Sequence, residues 1–246
     1  MRNIKLTIEY DGKDFNGWQK QPNKLNIQGT IEQAIKQITG EEVDLNASGR
    51  TDAGVHSLGQ VANFKTNSKL PIEKWPLALN ANLKKSIVIK KAEEVDERFH
   101  SRLSCKKKTY RYVINNSKYG TAIYRNLETH IPMKLDVEKM KEAVKYFEGE
   151  HDFKAFKASG TSSKSSVRTI YKAEVKEMPD ERIWIELTGN GFLYNMVRII
   201  AGTLVEVGLG KIKPEEISDI IKSGKRENAG KTLPPEGLYL VTVEYE

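Results

Sequence analysis

From residue 192 to about 207 the chain is at its most apolar, with Met196, Val197, Ile199, Ile200, Leu204 and Val205 and a single cation, Arg198. A helix of this kind is buried almost all round. Such a helix does not tolerate a lone guanidinium, because a buried charge whose partner is missing costs about 3 to 5 kcal/mol. Arg198 therefore needs a carboxylate. Glu206 lies on the same face about two turns along, too far to touch. The partner has to come from another part of the chain.

The remainder reads as strands with a few covering helices. Residues 3–10 set Ile4, Leu6, Ile8 and Tyr10 against Lys5, Thr7 and Glu9, the alternation of a half-buried strand, and Asp11-Gly12 turns the chain. Further strands are predicted at 43–47, 60–65, 87–95, 106–115, 168–177, 183–188 and 238–244, with Pro179-Asp180 as a hairpin turn. Helical spacing covers 27–38, stopped by Gly40, and 136–147, with Asp136 as N-cap and Gly149 as stop. A short helical stretch at 72–79 is interrupted by Pro76, and Pro214 opens another through Ile221. The loop with Phe15, Trp18, Gln19 and Gln21 sets aromatics beside amides, which suits nucleotide contact and equally suits the edge of a core. Residues 158–166 have no apolar anchor and read as a mobile loop that orders on RNA.

A chain of 246 residues can bury a sizeable core, as one large domain or two lobes. A boundary near 105 is expected, giving lobes 1–105 and 106–246. No apolar run approaches the roughly 20 residues of a membrane helix. The start, Met1-Arg2-Asn3-Ile4, enters a strand pattern rather than a signal-peptide layout, so a cytoplasmic protein is expected. Lys and Arg outnumber Asp and Glu by 40 to 33, a net +7 compatible with a polyanionic partner. One cysteine, Cys105, excludes an intrachain disulfide, and with four scattered histidines offers no zinc spacing, so no metal is expected.

The stretch with the most chemistry is Ser48-Gly49-Arg50-Thr51-Asp52-Ala53-Gly54-Val55-His56-Ser57. Gly49 and Gly54 allow sharp bends around one carboxylate, Asp52, with a guanidinium two positions away and a hydroxyl beside it. This is the pattern of a held, ionised acid. It is also that of a structured turn in which Asp52 only accepts from backbone amides.

The run from Gly49 to His56 resembles the catalytic signature of the tRNA pseudouridine synthases that isomerise uridines in the anticodon arm, the TruA family. Other blocks agree, in that family's order: Tyr10-Asp11-Gly12 with Phe15, Gly17, Trp18 and Gln19; Arg98-Phe99-His100-Ser101-Arg102; and Lys108-Thr109-Tyr110-Arg111-Tyr112. They continue with Gly191-Phe192-Leu193-Tyr194-Asn195-Met196-Val197-Arg198 and Pro235-Glu236-Gly237-Leu238-Tyr239-Leu240. The resemblance implies an α+β pseudouridine-synthase fold, two similar lobes of mainly antiparallel sheet covered by helices, with the active-site cleft between them. It implies isomerisation of uridine at positions 38–40 of the tRNA anticodon stem-loop, by base flipping and an Asp nucleophile, in a cytoplasmic homodimer without cofactor or metal.

Residue by residue, it implies Asp52 as nucleophile and Arg198 as the cation that keeps Asp52 oriented and ionised, since such a neighbour lowers a carboxylate pKa by about one to three units. Tyr110 is implied to stack on the uracil, with Tyr112 left to the core, and Arg50 to fill the space of the flipped base. Arg102 and Leu238 complete the implied substrate contacts. His100 between its arginines reads as structural.

Two other classes fit less well. A glycosidase generally needs a second carboxylate about 5 to 10 Å from the first, and no acidic partner accompanies these motifs. A purely RNA-binding protein would not set a carboxylate in a basic cleft, where it repels phosphate. Gly189-Asn190-Gly191 and Gly210-Lys211 are near misses to nucleotide-binding motifs.

Overall fold

A computed structural model of the chain describes residues 1–160 and 165–246. In chain order the elements are β1 (Arg2–Tyr10), α1 (Ile27–Thr39), β2 (Asn46–Ala47), β3 (His56–Thr66), α2 (Trp75–Asn82), β4 (Ile87–Val95), β5 (Lys107–Asn115) and β6 (Thr129–His130). They continue with α3 (Val137–Val144), β7 (Gly149–Asp152), β8 (Val167–Met178), β9 (Arg182–Gly189), α4 (Met196–Gly208), α5 (Glu216–Ser223) and β10 (Leu238–Glu244). The class is α+β. The chain packs as two compact units, Met1–Lys106 with Tyr239–Glu246, and Lys107–Leu238. The closing strand thus belongs mainly with the first unit, whereas the sequence reading kept it in the second lobe.

In the first unit β1 pairs antiparallel with β3 on one side and β4 on the other; β2 also pairs antiparallel with β3, and β10 runs parallel to it. The alternation in β1 does what its period demands. Ile4, Leu6 and Ile8 are fully buried against Ile27, Ile31 and Ile35 of α1 and Trp75 and Leu79 of α2, and each such side chain contributes about 1.5 to 3 kcal/mol of apolar burial. Asn26 caps α1 by accepting from Gly29 N, and Gly40 ends it with φ +76.

The second unit carries β5, β9, β8 and β7 in successive antiparallel pairs, with β6 added parallel to β5. Ile183, Ile185 and Leu187 of β9 and Ala173 and Val175 of β8 share a core with Met140, Val144 and the buried length of α4. Asp136 caps α3 as its sequence position predicts, accepting from Lys139 N.

Several boundaries differ from the sequence reading for identifiable reasons. Pro76 lies in the first turn of α2, where its missing N–H costs nothing, so it starts a helix rather than interrupting one. The strand expected at 43–47 pairs only over Asn46–Ala47. The hairpin turn after β8 also takes in Glu181, with Asp180 and Glu181 both at positive φ. The last long helix begins at Met196 rather than near 192, because Asn195 takes a left-handed φ of +60. The loop expected at 158–166 lies partly outside the described residues.

Candidate active site

Asp52 sits in a loop whose backbone is gripped from two directions within the first unit. From below, β3 holds the incoming strand: Ser48 N donates to Val61 O (2.8 Å), Ser48 Oγ to Gln60 Oε1 (2.7 Å), and Gln60 Nε2 to the carbonyl of Gly49 (2.9 Å). From the side, the loop after β1 closes over it. Trp18 N donates to Thr51 O (3.0 Å), Gly12 N to His56 Nδ1 (3.1 Å), and the Tyr10 hydroxyl shares a 2.7 Å bond with Thr51 Oγ1.

Two glycines make this approach possible. A Cβ on Gly17, whose φ is +80, would stand 2.6 Å from Thr51 O, and one on Gly12 would stand 2.0 Å from Val55 O. The turn itself closes with Val55 N donating to Asp52 O (3.1 Å), and Gly54 takes φ +78. Gly49 does not take a positive φ. The neighbours Thr51, Val55 and His56 are buried, Asp52 is half-buried and Arg50 is exposed. The loop thus offers one carboxylate and one guanidinium to the outside from an otherwise packed turn.

Phe15 and Trp18, equally suited by sequence to nucleotides or to the core, are both core: they are buried, and Trp18 packs on Tyr10 with ring centroids 6.1 Å apart. Burial holds the Tyr10 phenol up at about 12, despite hydrogen bonds from Thr51, Gln60 and Ser57 that lower it. The block around Arg98 is a strap across β1 and β3. Asn3 Nδ2 donates to the carbonyls of Asp96 and Phe99, and Asn63 Oδ1 accepts from Ser101 N and Oγ. His100 is structural, its Nδ1 accepting from Arg102 N (3.1 Å), while the side chains of Arg98 and Arg102 are exposed.

In the second unit Tyr110 lies on β5, buried, with Phe192 edge-on to it at 5.1 Å and 76°. Phe192 in turn covers Gly189, where a Cβ would meet its ring at 3.4 Å and the Thr169 carbonyl at 2.7 Å. Tyr112, two residues on, is core, as expected. Its hydroxyl bonds to Thr129 Oγ1 (2.5 Å) and donates to Pro234 O (2.7 Å), and burial pushes its ionisation up.

Arg198 sits in the first turn of α4, half-buried. Its Nε donates to Leu233 O (2.7 Å) and its Nη1 to Asn195 Oδ1 (2.8 Å), while Leu233 N donates back to Arg198 O (3.3 Å). The guanidinium is therefore aimed by the segment 230–237, which lies tight along α4: a Cβ on Gly202 would stand 1.8 Å from Lys231 O. Leu238, buried, follows that segment directly. Of the supporting residues, Gln60 lies outside the sequence blocks named above, although a polar residue in mid-strand is itself a signal; Phe192 and Asn195 lie within the Gly191–Arg198 block, where nothing in the sequence marks a role of their own.

Among the described residues no group of three or more His, Cys, Asp and Glu is placed to hold a metal ion, and no helix is long and apolar enough to cross a membrane. The first unit presents a carboxylate from a held backbone turn, and the second carries a buried aromatic and an aimed cation, each a residue type suited to acid–base or nucleophilic chemistry.

Residues 6–103 and 143–246 match a family model described as tRNA pseudouridine synthase. The chain is 56% identical over 245 residues to proteins named tRNA pseudouridine synthase A from Acetivibrio thermocellus and Caldicellulosiruptor bescii, and 46% identical to one from Brevibacillus brevis. In each case all of both chains is covered. On these matches the chain belongs to the tRNA pseudouridine synthase family.

Proposed function

We propose that the protein converts uridine to pseudouridine at positions 38–40 of the tRNA anticodon stem-loop, with Asp52 as the nucleophile. The observation that carries this reading is the gripped loop that presents Asp52, half-buried, from a backbone held by Gly12, Trp18 and Gln60. A carboxylate held in this way loses little freedom in reaching a reacting carbon.

The reaction is an isomerisation. The bond from uracil N1 to ribose C1′ breaks, the base turns, C5 joins C1′, and the proton on C5 leaves as N1 gains one. Nothing is oxidised and no group is imported. Asp52 attacks C1′ or C6, or takes a proton from the sugar. The nucleotide is first extracted from its stack, and Arg50 fills the space that it leaves. Tyr110 stacks on the uracil, and its hydroxyl helps to move the C5 proton. Arg198, aimed by Leu233 and Asn195, keeps the carboxylate oriented and ionised, and Arg102 and Leu238 complete the contacts to RNA and base. In this reading the enzyme works in the cytoplasm as a homodimer on tRNA.

The test is Asp52→Asn, assayed for pseudouridine in unmodified tRNA transcripts alongside direct tRNA binding. Loss of turnover with binding retained is the expected result, and a variant that still isomerises removes the mechanism. Mapping pseudouridine in tRNA from cells lacking the protein tests the positions: uridine at 38–40 is expected there, and pseudouridine persisting at all three sites removes the assignment.

A further inference from the structure

Residues 116–128 leave the end of β5 and return beside it. Because β6 pairs in parallel with β5, Ile114 opposite Thr129 and Asn115 opposite His130, the two ends of the excursion are neighbours. It is a compact surface loop closed at its base. Asn116 Nδ2 donates to the carbonyls of Ile131 (2.7 Å) and Met133 (2.8 Å). Buried Glu128 accepts from Asn115 Nδ2 (2.6 Å) and from Arg182 Nε (2.6 Å). Gly120, at φ +65, lies against the His130 ring, and His130 Nε2 bonds to Ser117 O (2.8 Å). The loop is therefore tied down at its base and as far as Gly120.

What it displays is unusual for a tied loop. Tyr119 is 84% exposed, Ile123 78% and Tyr124 48%. Each tyrosine has its own cation: Lys118 Nζ lies 5.1 Å from the Tyr119 centroid, and the Arg182 guanidinium carbon lies 5.0 Å from that of Tyr124. Between residues 117 and 127 the charged side chains are Lys118 and Arg125, both positive. The loop also falls between the two stretches that match the family description, 6–103 and 143–246.

We infer that this loop is a second RNA-docking surface, in which Tyr119 and Tyr124 pack against exposed bases or riboses while Lys118 and Arg125 neutralise phosphates. The inference rests on the reading of the chain as acting on tRNA and extends it beyond the catalytic loop. Aromatic faces accept any base, and a cation beside each ring matches the backbone that accompanies it. The core of a protein interface is depleted of charge, whereas here each exposed ring has a cation next to it in the chain, Lys118 beside Tyr119 and Arg125 beside Tyr124. A platform already tied down also loses little freedom on binding.

The experiment measures binding of an unmodified tRNA transcript to the full chain over a range of salt. Tyr119→Ala with Tyr124→Ala is expected to raise Kd about fivefold or more. Lys118→Ala with Arg125→Ala is expected to raise Kd and to flatten the log–log salt dependence by about one to two. Lys118→Glu, which reverses the charge beside Tyr119 without truncating the side chain to alanine, repeats the test. Unchanged Kd and slope in all three overturn the inference, as does a change confined to sedimentation, which would make this face a contact between copies of the chain. A wild-type chain that does not bind tRNA defeats the underlying reading instead. Binding is read without turnover, so the two failures are told apart.

Discussion

Gly12 and Val55 meet backbone to backbone, so closely that a methyl group on residue 12 would stand 2.0 Å from the Val55 carbonyl oxygen. Nothing flexible lies between them, so Gly12→Ala must push two loops apart. The expected cost is about 1 to 3 kcal/mol of stability. A displacement near 1 Å at Asp52 is expected to slow turnover by roughly 100-fold. Denaturant unfolding and single-turnover kinetics check the two effects, and a variant with wild-type kinetics shows that this contact does not set the position of the loop.

Tyr10 supplies a pH signature of the same clamp. Its phenol is held at about 12 against an ordinary 10.0. The folded state thus keeps its proton where the unfolded chain has lost it. The stabilisation is complete below pH 10 and is lost as pH rises through 12, at up to about 1.4 kcal/mol per pH unit. Tyr112 and Tyr245, also pushed up by burial, add to the same alkaline slope. Tyr10→Phe is expected to make that slope shallower by one proton and to lose about 0.5 to 1.5 kcal/mol at neutral pH with the Thr51 bond. Urea titrations at pH 8 to 11.5 decide it, and an unchanged slope means the phenol ionises normally.

Gly189→Ala tests how Tyr110 is placed without touching Tyr110. The added methyl meets the Thr169 carbonyl at 2.7 Å and the Phe192 ring at 3.4 Å. The Thr169 carbonyl is too close, so β8 and β9 have to part there, while the Phe192 ring, at ordinary contact distance, moves with the chain that carries it; its edge-on pairing with Tyr110, worth about 0.5 to 1.5 kcal/mol, is loosened. A fall in kcat of about tenfold with little change in tRNA affinity is expected. Equal losses in kcat and affinity would instead indicate general loosening of β8 and β9.

Arg50 is exposed on the rim of the Asp52 loop. If it contacts RNA, Arg50→Ala weakens tRNA binding and lowers the log–log salt slope by about one, besides slowing catalysis. An unchanged slope would make its role structural.

Strands of the first unit were legible because burial on one face writes a period of two into β1, and the cap of α3 was legible because Asp136 stands where the N–H of Lys139 needs an acceptor. The start of α4 was not. The apolar run begins at Phe192, but Phe192 packs over Gly189 and Asn195 takes a left-handed turn, and neither fact leaves a trace in hydrophobicity. At the candidate site, the residue types proposed for the chemistry stood out and their supports did not. Gly12 and Gly17 read as ordinary turn glycines until Thr51 and Val55 are seen against them. Arg198 called for a carboxylate on electrostatic grounds, yet much of its aim comes from a carbonyl and an amide, Leu233 and Asn195, which charge counting overlooks. Trp18 went to the core because β1 places Tyr10 beside it.

Glu128 closes the base of the loop 116–128 by holding Arg182 and Asn115 at once, both at 2.6 Å. Its carboxylate is nearly inaccessible, with 3% of the side chain exposed, while Arg182 keeps 22%. Glu128→Ala therefore leaves the Asn115 amide without its acceptor and the half-buried Arg182 guanidinium with only the exposed Asp180 at 3.4 Å, a loss of about 3 kcal/mol. Replacing both charges, as in Glu128→Leu with Arg182→Met, removes the stranded cation and is expected to recover part of that loss, since a buried pair exchanged for apolar groups is often close to neutral. The single variant should also expose residues 116–128 to proteolysis before the rest of the chain unfolds, because β6 has only two residues paired with β5. Limited proteolysis at temperatures below the melting transition checks this. A single variant within 1 kcal/mol of wild type, or one cut first elsewhere, would show that the loop is held by Asn116 and His130 instead.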